Sequence, residues 1–97
     1  MTISKTLDGD KLIIALEGRL DTLTAPDLEK EVSGSLANVN ELVFDFEKVD
    51  YISSAGLRVL LAIQQKMDGK PVKLIKANEV VREVFDVTGF GDIITVE

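Results

Sequence analysis

Hydrophobic spacing along the chain changes period several times, and each change marks an element. Thr2 to Leu7 sets Ile3 and Leu7 on one face among polar neighbours, which predicts an edge strand. Asp8-Gly9-Asp10 is a hairpin turn signal. Leu12-Ile13-Ile14-Ala15-Leu16 is short and continuously apolar, the pattern of a central strand covered on both faces. Gly18-Arg19-Leu20-Asp21-Thr22 then predicts a loop. The period becomes helical after it. Thr24 suits an N-cap, Pro26 the first turn, and Asp27 and Glu29 oppose the helix dipole. Leu28, Val32 and Leu36 fall on one stripe with Glu29, Lys30 and Glu31 outside it. Ser33-Gly34-Ser35 weakens the end of this helix, and Asn38 to Asn40 form an exit turn.

Alternation returns in Glu41 to Phe46: Leu42, Phe44 and Phe46 share one face, Val43 and Asp45 the other. A helix over about Ala55 to Met67 follows, apolar around most of its circumference in its first half except at Arg58. Such a helix is either deeply buried or partly covered by a partner. Gly69 stops it. Pro71 to Ile75 predicts a strand, and Asn78 caps a third helix. Val80, Val81, Val84, Phe85 and Val87 are expected as its buried stripe, with Gly89 at its end. Asp92 to Val96 predicts a last strand. The order is β-β-α-β-α-β-α-β. A hairpin followed by strand–helix alternation gives an α/β fold: a mixed, mostly parallel sheet packed against helices, in one domain spanning residues 1–97.

Composition narrows the chemistry. Hydrophobic residues make up 45% of the chain, enough for a core, and charged residues 29%. No basic, apolar, small-residue leader opens the sequence, and no apolar run approaches the roughly 18 residues of a spanning helix. The expectation is a cytoplasmic protein without membrane insertion. The net charge of −6 disfavours nucleic acid as a partner and favours a basic protein surface. There is no His and no Cys, which removes the commonest general base, the thiolate nucleophile and most metal ligands. Gly89-Phe90-Gly91 is too short for a dinucleotide fingerprint, and no phosphate loop is present. The acids scatter without EF-hand spacing. No cofactor and no enzymatic activity are expected; the competing idea is a small enzyme using only carboxylates and hydroxyls.

Candidate chemistry remains at Ser53 and Ser54, where a strand-side turn becomes the second helix. The first turn of that helix carries no acid, so its exposed N–H groups and partial positive charge have no counterion. An added phosphate fits there. Ser53 suits the N-cap role; Ser54 is then the first helical residue with a free hydroxyl. Gly56 costs the helix about 1 kcal/mol relative to alanine, and a side-chain-free position would let another protein approach closely. Asp21, at the exit of a neighbouring strand, is expected near Ser54. Asp45 and Asp50 are expected to hold the loop around Ser53 through backbone N–H groups.

The run Asp50-Tyr51-Ile52-Ser53-Ser54-Ala55-Gly56-Leu57 resembles the signature of the STAS domain, whose stand-alone bacterial members are anti-sigma factor antagonists. The common family form at the switch is Asp-Ser-Ser/Thr-Gly. Here Ser53 stands at the Asp position, Ser54 at the first hydroxyl, Ala55 at the second and Gly56 at the glycine. The resemblance covers nearly the whole chain. It implies a STAS fold and partner switching: the unmodified protein binds an anti-sigma factor with a histidine-kinase-like fold. That factor acts as a serine kinase and ends the binding by phosphorylation, and a metal-dependent serine phosphatase restores it. ATP and Mg²⁺ belong to the kinase. Ser54 is the implied phosphorylation site, Ser53 the second choice. Asp21, Thr22, Ser53, Ser54, Ala55, Gly56, Leu57 and Arg58 are the implied partner-binding residues. The alternative within the same family is a STAS subunit of a lipid or sulphate transporter, or of a larger signalling assembly.

Overall fold

A computed structural model describes residues 1–97. The strands are β1 (Thr2–Asp8), β2 (Lys11–Leu20), β3 (Glu41–Ile52), β4 (Val72–Ile75) and β5 (Thr95–Val96). The helices are α1 (Ala25–Ser33), α2 (Ser54–Lys66) and α3 (Glu79–Thr88), with a short 3-10 turn at Phe90–Asp92. The five strands form one sheet in the order β1-β2-β3-β4-β5. β1 pairs antiparallel with β2, and the remaining pairs are parallel. This is the mixed α/β arrangement that the element order predicts. The exits of β2, β3 and β4 therefore line one edge of the sheet, and the loops to all three helices gather there.

The core lies on one face only. Leu12, Ile14 and Leu16 of β2, Leu42, Phe44 and Phe46 of β3, and Leu74 of β4 are buried in one cluster with Leu28, Val32, Leu57, Leu60, Ile63, Val81 and Phe85 of the helices. Phe44 and Phe46 meet edge to face at 6.4 Å between ring centroids. All three helices cover this face. The alternate positions Ile13, Ala15, Asp45 and Ile75 are only half-buried. This corrects the expectation of a β2 covered on both faces. Its apolar run is continuous because Ile13 and Ala15 sit at the centre of the open face, beside the buried Val43.

Two elements run further than their patterns predict. β2 includes Gly18, Arg19 and Leu20, and β3 continues to Ile52. The register explains why. Ala15 pairs with Asp45 but Glu17 with Lys48, and Gly18 pairs with Val49 but Arg19 with Tyr51. β3 thus carries two extra residues, each a bulge that shifts the alternation. Its buried residues become Phe46, Val49 and Ile52, with exposed residues between. A period of two cannot detect such a strand. Gly18 sits at the second irregularity with φ 110°, a conformation that side-chain-bearing residues rarely adopt.

α3 is set by Asn78, whose carboxamide oxygen accepts from Val81 N–H at 2.9 Å while its Nδ2 donates to the Val49 carbonyl at 3.1 Å. The first bond caps the helix and the second ties it to β3. Asn78→Ala is expected to lower stability by about 1–2 kcal/mol in chemical denaturation, because both partners lose their bond. A loss under about 0.3 kcal/mol would show that water replaces both bonds. Only Val81 and Phe85 of α3 are buried; Val80 and Val87 are exposed, against expectation. The last strand is two residues long because Phe90–Asp92 coils into the 3-10 turn.

Candidate functional site

The edge where β2 and β3 end holds the residues that the sequence singles out. Leu20 pairs with Ile52, so the segments starting at Asp21 and at Ser53 leave the sheet side by side. Ser53 N–H donates to the Leu20 carbonyl at 2.9 Å. Ser53 is the N-cap of α2: its backbone is extended, and its Oγ accepts from Gly56 N–H at 3.3 Å. Ser54 is the first helical residue, and it is exposed. No acid stands in the first turn of α2. The hydroxyl of Ser54 therefore lies at a positive helix end, free of the capping duty that holds Ser53 inward.

Gly56 has a different role from the one expected of it. It is buried rather than open to an approaching partner. A Cβ at this position would stand 2.8 Å from Leu20 Cγ, 2.9 Å from Ile52 Cγ1 and 2.9 Å from the Leu20 carbonyl oxygen. The glycine lets the start of α2 press onto the exits of β2 and β3. It thereby fixes where Ser53 and Ser54 stand relative to Asp21.

Asp21 organises the β2–α1 loop. Its Oδ1 accepts from Leu23 N–H at 3.0 Å and from Thr24 N–H at 3.2 Å. Arg19 Nε lies 3.7 Å from its Oδ2. Thr24 does not cap α1 with its side chain, contrary to its sequence position. Its hydroxyl instead donates to the Arg19 carbonyl at 2.7 Å and accepts from Asp21 N–H at 2.9 Å. Desolvation acts to raise the Asp21 pKa, but the N–H groups of Leu23 and Thr24 and the Arg19 charge together hold it below the usual carboxylate value. Its ionised form thus supports the loop above the unfolded value of about 3.9, and that support is lost only as pH falls through the lower folded value. Arg19 also stacks on Tyr51, 4.6 Å from the ring centroid. Asp45 and Asp50 do not hold the Ser53 loop. Asp45 Oδ1 accepts from Glu47 N–H at the first bulge, and Asp50 is an exposed residue of the strand.

Beside Ser54, the starts of α1 and α2 form a groove lined by Thr22, Ala25, Pro26, Glu29, Ala55, Arg58 and Val59. The lining mixes small apolar residues with Thr22 and the charges of Glu29 and Arg58, and Arg58 is exposed there. Leu57 points away from it into the core. Leu23, at the tip of the β2–α1 loop, is 85% exposed. Sequence reasoning passed over Leu23, although a lone large apolar residue in a polar loop was the available signal. A second depression, on the open sheet face, is lined by Ser4, Ala15, Glu17, Asp45 and Glu47. Its carboxylates form no grouping that could hold a metal ion. No helix is long and apolar enough to cross a membrane.

Comparison with known proteins gives a consistent result. The family described as the STAS domain matches residues 2–97. BtrV of Bordetella bronchiseptica, which carries the name of an anti-sigma factor antagonist, is 35% identical over 99% of this chain and 84% of its own length. The anti-sigma-F factor antagonist RsfB of Mycobacterium tuberculosis is 30% identical over 79% of this chain and 65% of its own length. Among solved structures, an anti-sigma factor antagonist from Mycobacterium paratuberculosis superposes with a TM-score of 0.89 at 23% identity, covering 98% of this chain and 83% of the other. The antagonist SpoIIAA in its unphosphorylated form superposes at 0.86 with 19% identity, covering 99% and 88%. At these identities the structures establish the likeness of fold.

Proposed function

Since the chain belongs to the STAS domain family, we propose that it is an anti-sigma factor antagonist, a cytoplasmic binding regulator rather than an enzyme, switched off by phosphorylation of Ser54. The observation that carries this reading is the exposed Ser54 hydroxyl at a helix start that has no acidic residue to counter it. The unmodified protein presents Leu23, the groove between α1 and α2, and Arg58 to an anti-sigma factor with a histidine-kinase-like fold, which is also the serine kinase. Asp21 shapes this surface through the loop that it holds. A phosphate on Ser54 adds about −1.5 to −2 charges beside the groove. It folds over the open N–H groups of α2 and so stays compatible with the fold while repelling the partner. A metal-dependent serine phosphatase reverses the step.

Incubation with the anti-sigma kinase and ATP, followed by phosphopeptide mapping, tests the assignment. Phosphate is expected in the wild type and in Ser53→Ala, and absent from Ser54→Ala. Phosphate retained in Ser54→Ala and lost in Ser53→Ala would assign the switch to the wrong serine. No incorporation into the wild type, with the anti-sigma factor still bound, would remove phosphorylation from the reading.

A further inference from the structure

The outer face of α3 lies outside the core and runs away from the edge where Ser54 lies, with only its first residues near that edge. Val80, Val84 and Val87 recur at i, i+4 and i+7, so they form one stripe along the helix. Val80 is 55% exposed, Val87 80% and Val84 half-buried. The core side of the helix is supplied by Val81 and Phe85 instead. Val84 packs partly against the core, but Val80 and Val87 face water; valine loses side-chain freedom in a helix, so helix formation alone gives no reason for them there.

A second row runs beside the valines on the side away from the core. Glu79, Glu83 and Asp86 repeat with the same spacing and are all exposed. None of the three takes part in an ion pair; the chain's five ion pairs use other residues. Like charges three or four apart on a helix repel one another. α3 also has no basic residue in its last turn to answer the dipole. An apolar stripe and a carboxylate ridge thus lie side by side on one exposed helix, with the exposed Arg82 flanking the ridge on the side away from the valines and in no ion pair.

We propose that this face docks a segment of a second protein that is apolar along one side and carries Lys or Arg next to it. The valines meet the apolar side and the ridge meets the cations. A second copy of this chain is a poor occupant, because it brings the same ridge and a net charge of −6. The surface of an anionic membrane or a nucleic acid meets the same repulsion. α3 packs chiefly on β3 and the 3-10 turn. Modification of Ser54 at the start of α2 therefore leaves this face available, and the chain holds one partner here while another binds and leaves at Ser54.

The test is an NMR titration of the isotopically labelled full chain with an amphipathic Leu/Lys peptide of about five helical turns. A Leu/Glu peptide of the same pattern and a scrambled Leu/Lys peptide serve as controls. Amide shifts centred on residues 80–87 are expected with the Leu/Lys peptide. The Leu/Glu peptide, and the variants Val80→Ser/Val87→Ser and Glu79→Lys/Glu83→Lys, are each expected to bind at least about tenfold more weakly. Val80→Ser/Val87→Ser changes exposed residues only, so its melting temperature should match the wild type. Glu79→Lys/Glu83→Lys also replaces the acid in the first turn of α3, so its melting temperature should fall by a few degrees with the fold retained. Ser54→Asp should leave the titration unchanged, which separates this site from the proposed switch. Shifts centred on Leu23 and Val59, equal binding of the Leu/Glu or scrambled peptide, or no binding at millimolar peptide would overturn the proposal. So would a dimer in sedimentation that Val80→Ser/Val87→Ser abolishes, or co-sedimentation of the chain with anionic vesicles.

Discussion

Replacing Gly56 with alanine is expected to destabilise the fold, although alanine is the better helix former by about 1 kcal/mol. The new methyl would lie within 2.9 Å of three atoms, one of them the Leu20 carbonyl oxygen. A side chain could yield by changing rotamer. The carbonyl cannot yield so easily, because it also accepts the Ser53 N–H at 2.9 Å and belongs to the pairing of β2 with β3. Overpacking of this kind costs about 1–3 kcal/mol, so a net loss of up to about 2 kcal/mol is expected after the helix gain. For a domain of this size each kcal/mol lowers the melting temperature by roughly 4–8 °C. Gly56→Val, with two further carbons in the same space, should lose more. Anti-sigma factor binding should fall as well, since α2 must lift from the exits of β2 and β3 and carry Ser54 with it. Thermal melts and binding assays on both variants decide the matter. Melting temperatures at or above the wild type, with binding lost, would mean that the glycine faces the partner and not Leu20.

Ser54→Asp is expected to do the reverse: to remove binding while leaving the fold intact. The substitution puts a carboxylate at the first position of a helix with no other acid in its first turn. Such a charge is worth about 0.3–1 kcal/mol in favour of the fold. The ionised Asp21, across from the same edge, opposes it, so the melting temperature should stay within a few degrees of the wild type. Binding should fall by tenfold or more, because a partner that covers Ser54 would have to desolvate the added carboxylate without a group placed to pair with it (about 1.4 kcal/mol per factor of ten). Titration calorimetry beside a thermal melt measures both quantities. Binding lost only together with a collapsed melting temperature would show damage rather than a switch.

These two expectations depend on different kinds of information. The charge balance at the start of α2 is local. Ser53 as cap, Ser54 as first helical residue and the absence of acid follow from a few consecutive residues, and the structure places them as read. Asn78 and Gly89 bound α3 for the same reason, since caps and left-handed stops use side chains and backbone within one turn. The order of strands and helices was also legible, because alternation and helical stripes are properties of the chain itself.

The tertiary structure decided what depends on distant segments. The bulges in β3 break its alternation after Phe46, so the pattern carries the strand only to Phe46, and pairing with β2 extends it to Ile52. Thr24 reads as a helix cap by position, but the Arg19 carbonyl and Asp21 take its hydroxyl. The five apolar residues of α3 are equivalent by composition; packing on β3 buried Val81 and Phe85 and left Val80 and Val87 in water. Ile13 and Ala15 suggested a second covering layer, but every helix packs on the other face of the sheet. Gly56 is the clearest case. Its neighbours in sequence say only that a helix starts here at a cost. Leu20, far back along the chain, supplies the reason, because the space a side chain would need is already filled by the end of another strand.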